Sequence, residues 1–211
     1  MIVETFPVGM LACNCTILGD PESGEAIVID GGDDVDAIAT RLAQHGLRPR
    51  YLLHTHAHFD HIGALGPLRE RCGGAGLLHH ADRPLYAALA QQGRMIGLPY
   101  SIEPVALDGD LTDGDELTAG AVRLRAIHTP GHTPGSTSFA FDHDGETTLF
   151  TGDTLFRGGV GRWDLGGTSL EDIVDSIRTK LFVYPDDAHV VCGHGPPTSI
   201  GTERTTNPFL V

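Results

Sequence analysis

The stretch Thr55-His56-Ala57-His58-Phe59-Asp60-His61 places three imidazoles and a carboxylate directly behind the apolar run Tyr51-Leu52-Leu53. Few backbone paths accommodate such a block. Tyr51 to Thr55 reads as a buried strand, and if the chain stays extended just beyond it, His56 and His58 point to the same side and can share one ion. From Asp60 to Cys72, the residues Leu65, Leu68 and Cys72 recur at helical spacing, which puts Asp60 and His61 at a strand-to-helix junction, turned away from the first pair. They suit a second ion beside the first. A helix N-terminus alone repels a cation, so the charge of Asp60 must outweigh the local dipole. Imidazole and carboxylate donors suit zinc first, with iron and manganese also accepted.

Three later segments extend the donor set. His132 lies between two Pro/Gly turns in Thr129-Pro130-Gly131-His132-Thr133-Pro134-Gly135, after the apolar strand Val122 to Ile127. Asp153 follows the strand Leu149-Phe150-Thr151. His194 follows Val190-Val191-Cys192. Each donor sits where a strand runs into a loop, and loops at one end of a rigid sheet can hold side chains from distant positions at a common point. A lone donor at a strand end is more often structural; the set of them is not.

This constellation resembles the metallo-β-lactamase-fold hydrolases, from about Cys13 to Pro208. Carried over position by position, the resemblance implies that His56, His58 and His132 hold one metal, that Asp60, His61 and His194 hold a second, and that Asp153 bridges both. The β-lactamases of the family usually carry cysteine where Asp153 stands, so the chain looks like the glyoxalase II branch, the hydroxyacylglutathione hydrolases. Thr151-Gly152-Asp153-Thr154-Leu155-Phe156 suggests this branch. Gly193-His194-Gly195-Pro196, with Glu203-Arg204 and Asn207-Pro208-Phe209, looks like its short members, which lack the C-terminal helical domain. The implied fold is an αββα sandwich of α/β (α+β) class with four layers. The expected organisation is a single domain over residues 1–211.

Charge bookkeeping gives the chemistry. Two divalent ions bring four positive charges, Asp60 and Asp153 remove two, and a bridging hydroxide removes a third, leaving a site that can hold an oxyanion. Coordination lowers the pKa of water from about 15.7 toward about 7, so a metal-bridging hydroxide can attack without a side-chain base, and Asp60 and Asp153 are the catalytic carboxylates. A thiol leaves as thiolate near pKa ~8.5 with little help from an acid, so a small-molecule thioester such as S-D-lactoylglutathione is the expected substrate. In glyoxalase II a basic residue and a tyrosine after the bridging aspartate help bind glutathione. Arg162 fits the basic role, whereas Asp164 stands in the tyrosine's place, so an Arg162–Asp164 salt bridge is the competing reading. The alternatives are a persulfide dioxygenase holding one iron on His56, His132 and Asp153, a lactone or other ester hydrolase of the same fold, and a metal-stabilised binding module without turnover.

With 28 acidic residues against 14 lysines and arginines, the net charge of −14 argues against nucleic acid or an anionic membrane as partner. No stretch has the length of a membrane span, and the N-terminal residues lack the pattern of a signal peptide, so a cytoplasmic protein is expected. The four cysteines have no zinc-knuckle spacing and read as core, Cys192 included. Of the histidines outside the donor set, His54 is the candidate for a supporting role beside the site. Arg94 to Tyr100 reads equally as substrate mouth or as connector. Asp33 or Asp34 can cap a helix from Val35. A further helix is expected from Asp82 to Gln92, and a last one opening with the capping-box pattern Thr168-Ser169-Leu170-Glu171.

Overall fold

The computed structural model describes residues 1–164 and 168–211. Period-two alternation of apolar residues builds two six-stranded sheets, each placed between two apolar layers. The first sheet holds, in spatial order, β1 (Ile2–Val8), β2 (Cys13–Asp20), β3 (Glu25–Ile29), β4 (Arg48–Leu53), β5 (Ala75–His79) and β6 (Gly109–Leu111). The second contains β7 (Glu116–Ala119), β8 (Val122–His128), β9 (Thr137–His143), β10 (Glu146–Gly152), β13 (His189–Cys192) and β14 (Thr198–Ser199); a separate hairpin, β11 (Leu155–Phe156) and β12 (Gly159–Val160), intervenes in the chain.

Ile27 and Ile29 of β3 and Leu53 of β4 pack against Phe139 and Phe150 of the second sheet, while Ala26 and Val28 face the helices outside. Those helices are α1 (Val35–Gln44), α2 (Phe59–Ile62), α3 (Leu65–Cys72), α4 (Arg83–Ala87) and α5 (Leu89–Met95). The outer face of the second sheet is covered by α6 (Leu170–Ser176), its π-helical continuation through Leu181, and α7 (Ile200–Thr206), around Ile173, Ile177, Leu181 and Ile200. The order helix, sheet, sheet, helix is the expected αββα sandwich. Among the described residues, no helix is long and apolar enough to cross a membrane.

Several local expectations change. The strand before the donor block ends at Leu53, not Thr55, and the helix expected from Asp60 to Cys72 is split into α2 and α3 around Gly63 and Ala64. The Asp82–Gln92 helix likewise breaks at Ala88. The capping box forms one residue later than expected: the Ser169 hydroxyl accepts from the Asp172 main chain, and the Asp172 side chain accepts from the Ser169 N–H. α6 is not the last helix, since α7 follows it with Ser199 as its cap. Neither Asp33 nor Asp34 caps α1 through its side chain. Asp34 instead accepts the Gly9 N–H at 2.8 Å, tying the β1–β2 turn to the start of α1.

Candidate metal centre

The ends of β4, β8, β10 and β13 converge, and with them the seven donors named from sequence. His56 Nε2, His58 Nδ1 and His132 Nε2 lie 2.9–3.2 Å from one another. His61 Nε2 lies 3.2 Å from His194 Nε2 and 3.6 Å from Asp60 Oδ2, which is 3.1 Å from His194 Nε2. Asp153 sits between the two groups. Its Oδ1 is 3.4 Å from His61 and 3.7 Å from His194, while its Oδ2 is 3.5 Å from His132.

Ring orientations follow from what the outward nitrogens meet. His61 Nδ1 faces a carboxylate oxygen of Asp30 at 2.9 Å, His132 Nδ1 the Arg162 carbonyl at 2.8 Å, and His194 Nδ1 the Leu11 carbonyl at 3.0 Å. Carbonyls and carboxylates only accept, so each of these nitrogens donates and each Nε2 lone pair is aimed inward. His56 obeys the same logic through Thr55: the Thr55 hydroxyl donates to Asp30 Oδ2 at 2.7 Å and accepts from His56 Nδ1 at 3.1 Å. Lone pairs aimed at one another repel unless a positive charge lies among them. Asp153 Oδ1 is buried without a hydrogen-bond partner, and an orphaned anionic oxygen in that position also asks for a cation. The donor chemistry therefore fits metal ions on both groups.

Backbone freedom permits the convergence. Gly152 has φ +48°, and a Cβ there would strike the Thr55 side chain; a Cβ at Gly193 would strike Asp153 Oδ1 and the His61 ring. The glycines preceding Asp153 and His194 thus let two strand ends approach as closely as the centre requires.

Two buried aspartates organise the loops, and neither was singled out from sequence. Asp30, just past β3 at φ +54°, accepts the Thr55 N–H at 2.8 Å in addition to the bonds above, so it orients His61 directly and His56 through Thr55. The signal was present: Ile27-Val28-Ile29-Asp30 is a strand running into an acidic residue, the pattern that picked out Asp153. Asp82 accepts from Ala57 N, Thr133 Oγ1 and Gly135 N at 2.6–3.0 Å, pinning the His56–His61 loop to the His132 loop. His54 is buried and donates from Nδ1 to the His61 carbonyl at 3.0 Å; burial pushes its pKa down to about 4, so it is neutral. Cys13 lies against the His61 ring with its sulfur 3.5 Å from Nδ1, and burial pushes its thiol up to about 12. Burial raises Cys192 equally, to about 12, which leaves no thiolate to act as a nucleophile.

A third clamp comes from the N-terminal hairpin. Asn14 donates its main-chain N–H to the Gly193 carbonyl at 2.7 Å, and its amide to the Cys192 and Gly195 carbonyls at 2.9 and 3.0 Å. Asn14→Asp turns that amide into a carboxylate facing two carbonyl oxygens. Affinity for an ion on the His194 side is expected to fall about tenfold or more, as for other supporting partners of ligands, with the ion on the His132 side held. Competition with a chelating dye measures this, and unchanged affinity for both ions counts against the clamp.

Protonation separates the two groups. Burial, then the neighbouring imidazoles, pushes His56 well down and His58 to about 4, and burial lowers His132 as well. Against burial, the carboxylates of Asp30 and Asp153 raise His61, and those of Asp60 and Asp153 raise His194. Raised values mean that protons compete for the second group above the ordinary histidine value, and lowered ones that they compete for the first group only below it. As pH falls, an ion on the second group is expected to be released before one on the first. Elemental analysis after equilibration at each pH tests this, and simultaneous loss of both ions speaks against it.

Arg162 is paired with Asp164 through two bonds of 3.0 and 2.9 Å, while its carbonyl holds His132. The competing salt-bridge reading of that loop is thus the arrangement observed. Leu98 and Tyr100 line a cavity that reaches Asp60, so part of the 94–100 segment borders the centre.

Comparison with known proteins agrees with this geometry. The profile of the Metallo-beta-lactamase superfamily matches residues 8–194. The hydroxyacylglutathione hydrolase GloC of Haemophilus influenzae is 36% identical, over 100% of this chain and 98% of its own length. The probable metallo-hydrolase YqgX of Bacillus subtilis is 38% identical, over 97% and 95%. Among solved structures, the BLEG-1 B3 metallo-beta-lactamase superposes with a TM-score of 0.89 at 36% identity, covering 99% of both chains. TTHA1623 in a di-iron-bound form gives 0.85 at 37%, covering 97% of this chain and 98% of its own. ETHE1 from Myxococcus xanthus gives 0.80 at 28%, covering 99% and 84%. The chain belongs to the metallo-β-lactamase superfamily.

Proposed function

We propose that this protein is a dinuclear hydrolase of the glyoxalase II type, cleaving S-D-lactoylglutathione or a related hydroxyacyl thioester. The observation that carries the reading is the position of Asp153, with one oxygen toward each donor group. His56, His58 and His132 would hold one ion, Asp60, His61 and His194 the other, and Asp153 both. Bound there, two divalent ions, zinc first and iron or manganese as alternatives, would supply water activated at neutral pH and a Lewis acid for the carbonyl oxygen.

The chain's own contribution is electrostatic. Although burial opposes it, the imidazoles around Asp60 and Asp153 hold both carboxyls below their usual range, so both are anionic at neutral pH. Asp30 and the Arg162 and Leu11 carbonyls keep the ring protons on the outward nitrogens. A thioester suits a centre of this kind because its thiolate departs without a proton donor, whereas an amine does not. The name of the Haemophilus relative, a hydroxyacylglutathione hydrolase, supports the same branch.

A mononuclear iron centre on His56, His132 and Asp153, oxidising a persulfide, is the second reading, favoured by the likeness to ETHE1. It leaves Asp60, His61 and His194 converged without a task. Elemental analysis combined with turnover separates the two. Two metals per chain with cleavage of lactoyl thioesters supports the hydrolase. One iron with oxygen uptake on glutathione persulfide overturns it, as does full metallation with no thioester cleavage.

A further inference from the structure

Two cavities flank the centre. The smaller, about 140 Å³, reaches Asp60 and is walled by Met10, Phe59, Leu98, Tyr100 and Ile102, with Asp33 as its other acidic group. The larger, about 340 Å³, reaches His58 and His132 and is walled by Ala81, Pro84, Leu85, Ala88 and Pro134. One adjoins each donor group, so a carbonyl placed over Asp153 sends one substituent toward each. At about 10–15 Å³ of such space per water-sized group, the smaller cavity has room for a short acyl unit. Its polar edge, the Asp33 carboxylate and the Tyr100 hydroxyl, suits a hydroxyl on that unit. The larger cavity has room for a carrier segment about twice as bulky and offers it a largely apolar wall.

Among the described residues, neither cavity is lined by a lysine or an arginine. The cation that the sequence placed beside the centre, Arg162, is already held by Asp164 in a bidentate pair, and the protein as a whole carries −14. A carrier with carboxylates close to its sulfur would have to bury them against apolar side chains or hold them out in solvent, and burying an unpaired charge is expensive. The negative field of the chain also slows the approach of an anion.

We propose that the centre is built for a short hydroxyacyl thioester of an uncharged aliphatic thiol, with the acyl unit in the cavity beside Asp60 and the carrier in the cavity beside His58 and His132. Carboxylate-bearing carriers, glutathione among them, are then the poorer substrates. The inference rests on the thioester-hydrolase reading above and narrows it.

The test compares two D-lactoyl thioesters on the metal-loaded enzyme, one of N-acetylcysteamine and one of glutathione. The neutral carrier is expected to give a kcat/KM at least tenfold higher. Ala88→Arg, which adds a cation to the wall of the larger cavity, is expected to shift the ratio at least fivefold toward glutathione, with metal content unchanged. Equal or better use of the glutathione thioester by the unaltered protein overturns the carrier assignment and leaves the hydrolase reading standing. An unchanged ratio in Ala88→Arg, with the variant folded and metallated, overturns the placement of the carrier arm. Cleavage of neither thioester by fully metallated protein overturns the hydrolase reading and this inference with it.

Discussion

Asp153→Ala is expected to lose at least one metal ion per chain and to lower turnover by about 10²–10³-fold or more, the range associated with removing one preorganised electrostatic group. The carboxylate is the negative charge between two sets of imidazole nitrogens, and it faces His61 and His194 with one oxygen and His132 with the other. Without it, the charge on a doubly metallated centre would rise by one, and the carboxylate that faces both halves is gone. Folding should survive, because the oxygen nearest His61 and His194 has no hydrogen-bond partner to abandon. Circular dichroism checks the fold, elemental analysis the ions and thioester cleavage the rate. Two ions and an undiminished rate in the variant would remove the foundation of the dinuclear reading.

Asp30→Asn is expected to weaken binding of an ion at Asp60, His61 and His194 by about 10–100-fold, the usual cost of losing a partner that orients a ligand. The change isolates the hydrogen bonds from the backbone, since asparagine tolerates the left-handed conformation that Asp30 adopts at φ +54°. An amide offers one acceptor oxygen where the carboxylate offers two. With its NH₂ toward His61 Nδ1, the ring must reverse its tautomer and its Nε2 lone pair is lost to the centre. With the NH₂ toward Thr55, the main-chain donor of Thr55 is orphaned, at about 1–3 kcal/mol. Both arrangements damage the site. Titration of metal-free protein with zinc gives the affinities, and two-site binding as tight as in the unaltered chain would contradict the role.

The seven converging donors were legible in the sequence because each is short-range information: a residue able to ligate, next to a strand, next to a turn. His56 and His58 required only alternation along an extended segment, and Asp153 and His194 only a glycine and a strand before them. Asp30 and Asp82 were harder to read. A buried carboxylate that accepts from Thr55 or from Gly135 has those partners 25 and 53 positions away. The same holds for Asn14, whose amide reaches Gly195 across 181 positions. Helix ends misled for a related reason: Asp34 has the chemistry of a cap, but its carboxylate is taken by Gly9 of the β1–β2 turn.

By itself, the sequence determined the inventory of the centre, since strand-end donors are local properties of the chain, and its resemblance to a known family implied the layer order. The tertiary structure alone decided which nitrogen of each ring faces inward, that Asp153 lies between the two groups, and that Arg162 spends its charge on Asp164. It also decided that, among the described residues, the two cavities beside the donors are lined by no lysine or arginine. Each of these depends on distances between segments remote in sequence, which are set by how the two sheets pack and not by what any one segment prefers.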